Sequence, residues 1–220
     1  MQLSQFDAVI FDMDGVLIDS EPLWKIAMDE VFKSIGSNLT KEDYQKTVGL
    51  RIDEVIRYWH TYEGWEGIST SFVENCILDK MKTLIREHPF PLEGVRETLL
   101  FLQNRGIKTG LATSSYQMLI DTVLDSLNLT PYFHITHSAE NELYGKPHPA
   151  VFLTVAEGLQ VLPNKCLVIE DSLTGVIAAK AARMQVVCIP EKSHHSEPKL
   201  MLADWQLESM SKLLDLWQQR

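Results

Sequence analysis

Cysteine is scarce: Cys76, Cys166 and Cys188 are the only three in 220 residues. Their count is odd, their spacings are wide and no CxxC occurs, which excludes a disulfide framework and a thiolate zinc site. Reduced thiols packed in a core are expected, in keeping with a cytoplasmic protein. Long apolar runs are also missing. No stretch approaches the roughly 18 apolar residues of a membrane-spanning helix. The opening "MQLSQFDAVIFDMD" has no basic segment ahead of an apolar one. Neither a membrane span nor a signal peptide is therefore expected. Positive charge is in deficit: 20 Lys and Arg stand against 30 Asp and Glu, for a net charge of −10. Such a surface repels phosphodiester backbones, so no nucleic-acid partner is expected. A small phosphorylated ligand, held by local dipoles and a cation, remains compatible with it. Low-complexity tracts and internal repeats are absent.

The 45% apolar content suffices for a substantial core. Short apolar runs bounded by turn residues recur at 7–11, 108–112, 134–136, 165–170 and 185–190. Their apolarity is continuous rather than alternating, which predicts a parallel sheet covered on both faces. Helical periodicity fills the gaps from about residue 95 onward. Examples are Val95, Leu99 and Leu102, and then Leu119, Val123 and Leu127. Alternating strands and helices predict an α/β fold with a doubly wound, Rossmann-like parallel sheet. The first strand breaks the rhythm, because only helical patterns follow it before "HPFPLEG" (88–94). The expectation is an all-helical insertion, 18–88, in an α/β core formed by 1–17 and 89–220.

Four polar clusters then fall at the carboxyl ends of the expected strands. They are Asp12 and Asp14, Thr113 to Ser115, Lys146 in "YGKPHP", and Glu170 with Asp171. Each has a plain alternative. "DMDG" could be a turn. A calcium loop fails, since Leu17 and Leu23 occupy the positions that need Gly and Glu. "TSS" could cap a helix, Lys146 could be a solvated lysine, and "ED" could favour a helix start. Together these readings fail. Two carboxylates ~4 Å apart repel by about 4 kcal/mol at an effective dielectric near 20. Four at one rim need a cation, and all-oxygen ligands open to water suit Mg²⁺. With Lys146, Thr113 and the Ser114 backbone N–H added, the rim suits a phosphoryl group.

The ordered motifs "DMDGVLID", "LATSS", "GKPHP" and "VIEDSLTG" resemble those of the haloacid dehalogenase superfamily across the whole chain. The insertion resembles its helical type-1 cap. "DSEPLW" and "KPHP" are similar to the capped sugar-phosphate phosphatases and β-phosphoglucomutases of that superfamily. The resemblance implies a phosphatase acting on hexose 6-phosphate, 2-deoxyglucose 6-phosphate or hexitol phosphate. It implies that Asp12 is the nucleophile that becomes an aspartyl phosphate, and that Asp14 is the acid and then the base. Thr113 and Lys146 would hold the transferring oxygens. Asp12, the Asp14 carbonyl, Glu170 and Asp171 would bind Mg²⁺. By analogy it implies a monomer. Arg51 in "VGLRIDE" (48–54), Glu21, Trp24, Ser114 and Ser115 are expected to contact substrate.

Two alternatives follow from the same residues. A mutase would hand the phosphoryl group to a second sugar hydroxyl. The cap histidine that the resemblance leads one to expect in a mutase is Trp24 here. A retired binding module would keep the scaffold without the chemistry. His194 and His195 read as part of a solvated loop, and His148 as shaping the loop that holds Lys146.

Overall fold

The computed structural model describes residues 1–47, 50–190 and 198–219. The His194–His195 pair, and Val48 and Gly49 of the 48–54 loop, lie outside the described residues.

The strands are β1 (Ala8–Phe11), β2 (Lys108–Thr113), β3 (Ile135–Ser138), β4 (Cys166–Glu170), β5 (Gln185–Cys188) and β6 (Trp205–Gln206). Between β1 and β2 run α1 (Glu21–Ser34), α2 (Lys41–Tyr44), α3 (Ile52–Glu63), α4 (Thr70–Glu87) and α5 (Val95–Asn104). The later helices are α6 (Gln117–Leu127), α7 (Ala150–Gly158), α8 (Leu173–Ala181) and α9 (Met210–Gln218). The strands form one sheet in the order β3-β2-β1-β4-β5-β6, and every pairing is parallel. The short β6 and the C-terminal α9 are additions to the sequence-based expectation.

Both faces of the sheet are covered, which is why β1 reads as an unbroken apolar run. Its side chains alternate between two layers. Val9 and Phe11 pack with Leu99, Leu102, Val123 and Leu213 of α5, α6 and α9. Ala8 and Ile10 pack with Val151, Val155, Val176 and Ala179 of α7 and α8. The insertion has apolar contacts of its own, with Leu23, Val31, Phe32, Ile56, Trp59, Ile77 and Met81 buried. Its two connections to the sheet run side by side. Ile18 bridges Pro91, and the Leu92 N–H donates to the Leu17 carbonyl at 2.9 Å. Cys166 and Cys188 are buried, Cys76 is partly buried, and all three are free. Among the described residues, no helix is long and apolar enough to cross a membrane.

The return into the sheet layers depends on Gly94. Its φ is +82°, and a Cβ there would stand 2.5 Å from the Ser211 backbone N and 3.0 Å from the Met210 backbone carbon. Only glycine lets the start of α5 meet the start of α9. Gly94→Ala is expected to cost about 2 kcal/mol from the left-handed conformation and the backbone clash. Urea unfolding should show a lower midpoint with an unchanged slope.

Candidate active site

The strand order reverses at β1 and β4, and open α/β sheets bind ligands in the crevice beyond that point. Register places the residues there. Phe11 lies level with Leu111 and Ile169, so the next residue, Asp12, emerges at the rim between Ala112 and Glu170. The Asp12 N–H continues the ladder to the Ile169 carbonyl at 3.0 Å. Thr113 ends the neighbouring strand.

Lys146 reaches this rim from the segment before α7 and is 4% exposed. Its Nζ donates to Asp12 Oδ1 at 2.8 Å, Glu170 Oε1 at 2.6 Å and the Ala112 carbonyl at 3.2 Å. It also lies 4.8 Å from the Phe152 ring centre. Burial works against this charged ammonium, but Asp12 and Glu170 outweigh it and hold the pKa above the usual lysine value. Glu170 is fully engaged: its other oxygen, Oε2, accepts from the Asp171 and Ser172 N–H groups and the Ser172 hydroxyl. A Cβ at Gly175 would lie 1.7 Å from Glu170 Oε1, so glycine clears the space for this carboxylate.

Asp12, Glu170 and Asp171 bring oxygens within 4.8 Å of one another. Burial pushes Asp12 up to about 7; Lys146 lowers it, while Glu170 and Asp14 raise it further. Asp171 is raised well above the usual carboxylate value by burial, then by Glu170 and Asp12. Gly15, at φ +70°, makes room for Asp171, since a Cβ there would stand 2.1 Å from Asp171 Oδ2.

The Asp14 carboxylate is held apart from that cluster. Its Oδ1 accepts from the Ser20 hydroxyl at 2.5 Å and the Trp24 indole N–H at 3.2 Å. Its Oδ2 accepts from the Ser115 hydroxyl at 2.6 Å and the Thr113 hydroxyl at 3.4 Å. Ser20 stands at the N-cap of α1 yet makes no side-chain cap bond. A serine cap is typically worth about 1 kcal/mol, and here the hydroxyl serves Asp14 instead.

A cavity of about 130 Å³ lies over the rim, between the sheet and the insertion. Asp12, Asp14, Glu21, Trp24, Thr113, Ser114, Ser115, Lys146 and Asp171 line it. The Ser114 hydroxyl is buried with no hydrogen-bond partner, and Glu21 pairs with Lys25 at 3.2 Å. Arg51, expected to contact substrate, is not among the residues that line the cavity. It stands at the extended N-cap of α3, so Ile52 and Val55 take the cavity face. The Arg51 guanidinium instead crosses to the turn after β3, donating to the Ala139 and Glu142 carbonyls at 2.9 and 3.0 Å. Tyr116 makes a second tie to the insertion through Glu74. Sequence reasoning also missed Ser20, Ser172 and the apolar wall of Met28, Leu50, Ile52 and Val55. The wall is drawn from separate segments, Met28 on α1, Leu50 ahead of α3, and Ile52 and Val55 on α3, so no single pattern marks it, and Ser20 looks like an ordinary helix cap.

A doubly wound parallel sheet with acids, a buried lysine and hydroxyl donors at its switch point defines a hydrolytic site on a Rossmann-like core. The chain belongs to the haloacid dehalogenase-like hydrolase family, whose model matches residues 9–189. It is 39% identical over 210 residues to hexitol phosphatase B of Escherichia coli (strain K12), covering 95% of each chain. It is 36% identical over 182 residues to the phosphorylated carbohydrates phosphatase of Thermotoga maritima, covering 81% of this chain and 82% of that protein. The β-phosphoglucomutase of Clostridium difficile superposes with a TM-score of 0.83 at 25% identity, covering 94% of this chain and 93% of that one.

The crowded rim has a consequence for stability. Asp12 has a folded pKa of about 7 against an ordinary 3.8. Between those values the folded state binds the proton more tightly than the unfolded chain. Its contribution is therefore complete below about 4 and lost as pH rises through about 7. Thermal unfolding in chelator should show Tm falling over that window, with a flatter profile for Asp12→Asn. A wild-type profile no steeper than the variant's would contradict the placement.

Proposed function

We propose that the protein is a Mg²⁺-dependent phosphatase of small sugar or sugar-alcohol phosphate monoesters, working through an aspartyl phosphate on Asp12. The observation that carries this reading is the Lys146 ammonium between Asp12 and Glu170. It grips one oxygen of Asp12 in a residue that also faces the cavity. The similarity to a hexitol phosphatase supports hexose 6-phosphate, 2-deoxyglucose 6-phosphate or hexitol phosphate as substrate.

The residues fit a hard divalent cation. Three carboxylates cluster within 4.8 Å and one buried ammonium pairs with two of them, and the charge left over suits an oxygen-liganded ion. Asp12, Asp171, Glu170 and the Asp14 carbonyl would hold it. When bound, Mg²⁺ supplies neutralisation of the nucleophile and of the phosphoryl oxygens.

Asp12 attacks phosphorus in line, and its oxygen forms the new P–O bond. The P–O bond to the sugar breaks as Asp14 gives its proton to the leaving oxygen. A water then loses a proton to Asp14 and attacks the phosphoryl group, which releases phosphate and frees Asp12. Lys146, Thr113 and the Ser114 N–H steady the transferring oxygens. Ser115 keeps Asp14 in place, and the unpartnered Ser114 hydroxyl is available to substrate. Residues 18–88 act as a cap domain on a core of 1–17 and 89–220, hinged where Leu17–Ile18 pairs with Pro91–Leu92. Closure excludes water while the aspartyl phosphate forms. Glu21 and Trp24 face the bound sugar from the cap.

A sugar-phosphate mutase is the second reading, favoured by the likeness to β-phosphoglucomutase. Given β-glucose 1-phosphate and a bisphosphate primer, the protein is expected to release phosphate faster than it isomerises the sugar. The opposite ratio would establish the mutase.

The first test is phosphate release across hexose, hexitol, pentose and triose phosphates with Mg²⁺. Asp12→Asn should lose at least about 1,000-fold, and unchanged release would leave only a binding module. Independently of turnover, Mg²⁺ should raise the Tm of the wild-type protein and not that of Asp171→Asn.

A further inference from the structure

Asp14 joins two parts of the chain. Both donors to its Oδ1, Ser20 and Trp24, come from the start of α1 in the insertion. Both donors to its Oδ2, Thr113 and Ser115, come from the end of β2 and the turn beyond. The carboxylate is thus clamped between the insertion and the sheet.

Trp24 is the unexpected member of this set. Glu21, Trp24 and Met28 share the cavity face of α1 at helical spacing. Leu23, Ala27 and Val31 form the adjacent row of the helix, which is buried. The side chain that covers the cavity therefore also points its single N–H at Asp14. Nothing requires an indole N–H to find such a partner here: the buried Nε1 atoms of Trp65 and Trp217 have none. The indole does two things at once. Its N–H fixes one oxygen of Asp14, and its ring shields that bond from water, which strengthens it.

We infer that Trp24 is a positioning residue for the acid–base step, holding the Asp14 carboxylate in the orientation that serves the leaving oxygen. This rests on the acid–base role proposed for Asp14. Because Trp24 sits one turn into a rigid helix, α1 brings Ser20 and Trp24 to Asp14 together. Proton transfer is thereby coupled to the placement of the insertion. The sugar meets the indole ring, but the N–H belongs to Asp14.

The test is Trp24→Phe, which keeps a ring and removes the N–H. With 2-deoxyglucose 6-phosphate, kcat is expected to fall about tenfold, the worth of one hydrogen bond to an acceptor that becomes charged as its proton leaves. KM should stay within about twofold, because the lost bond acts on the transition state rather than on binding. With p-nitrophenyl phosphate the leaving group needs no proton, so the rate of the first phosphoryl transfer, read by rapid quench, should stay within about twofold of wild type. That rate also reports that the variant is folded. A change mainly in KM would leave Trp24 with a sugar contact alone and overturn the inference. Equal losses on both substrates would overturn it in favour of a structural role. Asp14→Ala separates the two levels. If it abolishes sugar-phosphate turnover while Trp24→Phe matches wild type, only the role of Trp24 falls. If Asp14→Ala turns over normally, the acid–base reading falls and this inference with it.

Discussion

Lys146 is a buried ammonium between two carboxylates, and the rest of the rim is arranged around it. Leaving water is costly for such a group unless partners surround it. Here Asp12, Glu170, the Ala112 carbonyl and the face of Phe152 all do. Glu170 in turn is held by the first backbone N–H groups after β4 and by Ser172, and it lies against Gly175. The network links β1, β2, β4 and the segment ahead of α7. Its charges do not balance, since three acids share one lysine. Burial, reinforced by the neighbouring acids, raises Asp12 and Asp171, and the charge imbalance leaves a place for a cation.

The same constraint separates two aspartates only two residues apart. Asp12 follows the ladder of β1 and points into the buried charge cluster. Gly15, in the left-handed conformation, then turns the chain beneath Asp171. Asp14 faces the other way, among hydroxyls and an indole. One acid meets an ammonium and its like-charged neighbours. The other meets neutral donors drawn from both sides of the cavity. Divergent surroundings of this kind let two identical side chains take different parts in one reaction.

The parts of the fold that repeat a simple physical pattern were legible in the sequence. Continuous apolar runs announced the parallel strands, and the long helical stretch after residue 18 announced the insertion. The rim acids and Lys146 stood out because residues that repel or resist burial recur at strand ends. What escaped notice depends on contacts between distant segments. Arg51 looked free to meet substrate, but α3 starts one residue later and turns it toward Ala139 and Glu142. Ser20 has the position of a helix cap, and only the fold shows its hydroxyl on Asp14. The two-residue β6 is too short for any alternation to register. The helical spacing of Met210, Leu213 and Trp217 marks α9 only once α5 is seen to need a cover.

The central claim is that the rim directs a phosphoryl group onto one oxygen of Asp12. Acid quenching of the protein during turnover, followed by peptide mapping in a mass spectrometer, addresses it directly. The account predicts the added mass of one phosphoryl group on the peptide containing Asp12, sensitive to hydroxylamine as an acyl phosphate must be. A quenched enzyme that turns over substrate but carries no phosphoryl group there, or carries it on another residue, would contradict it.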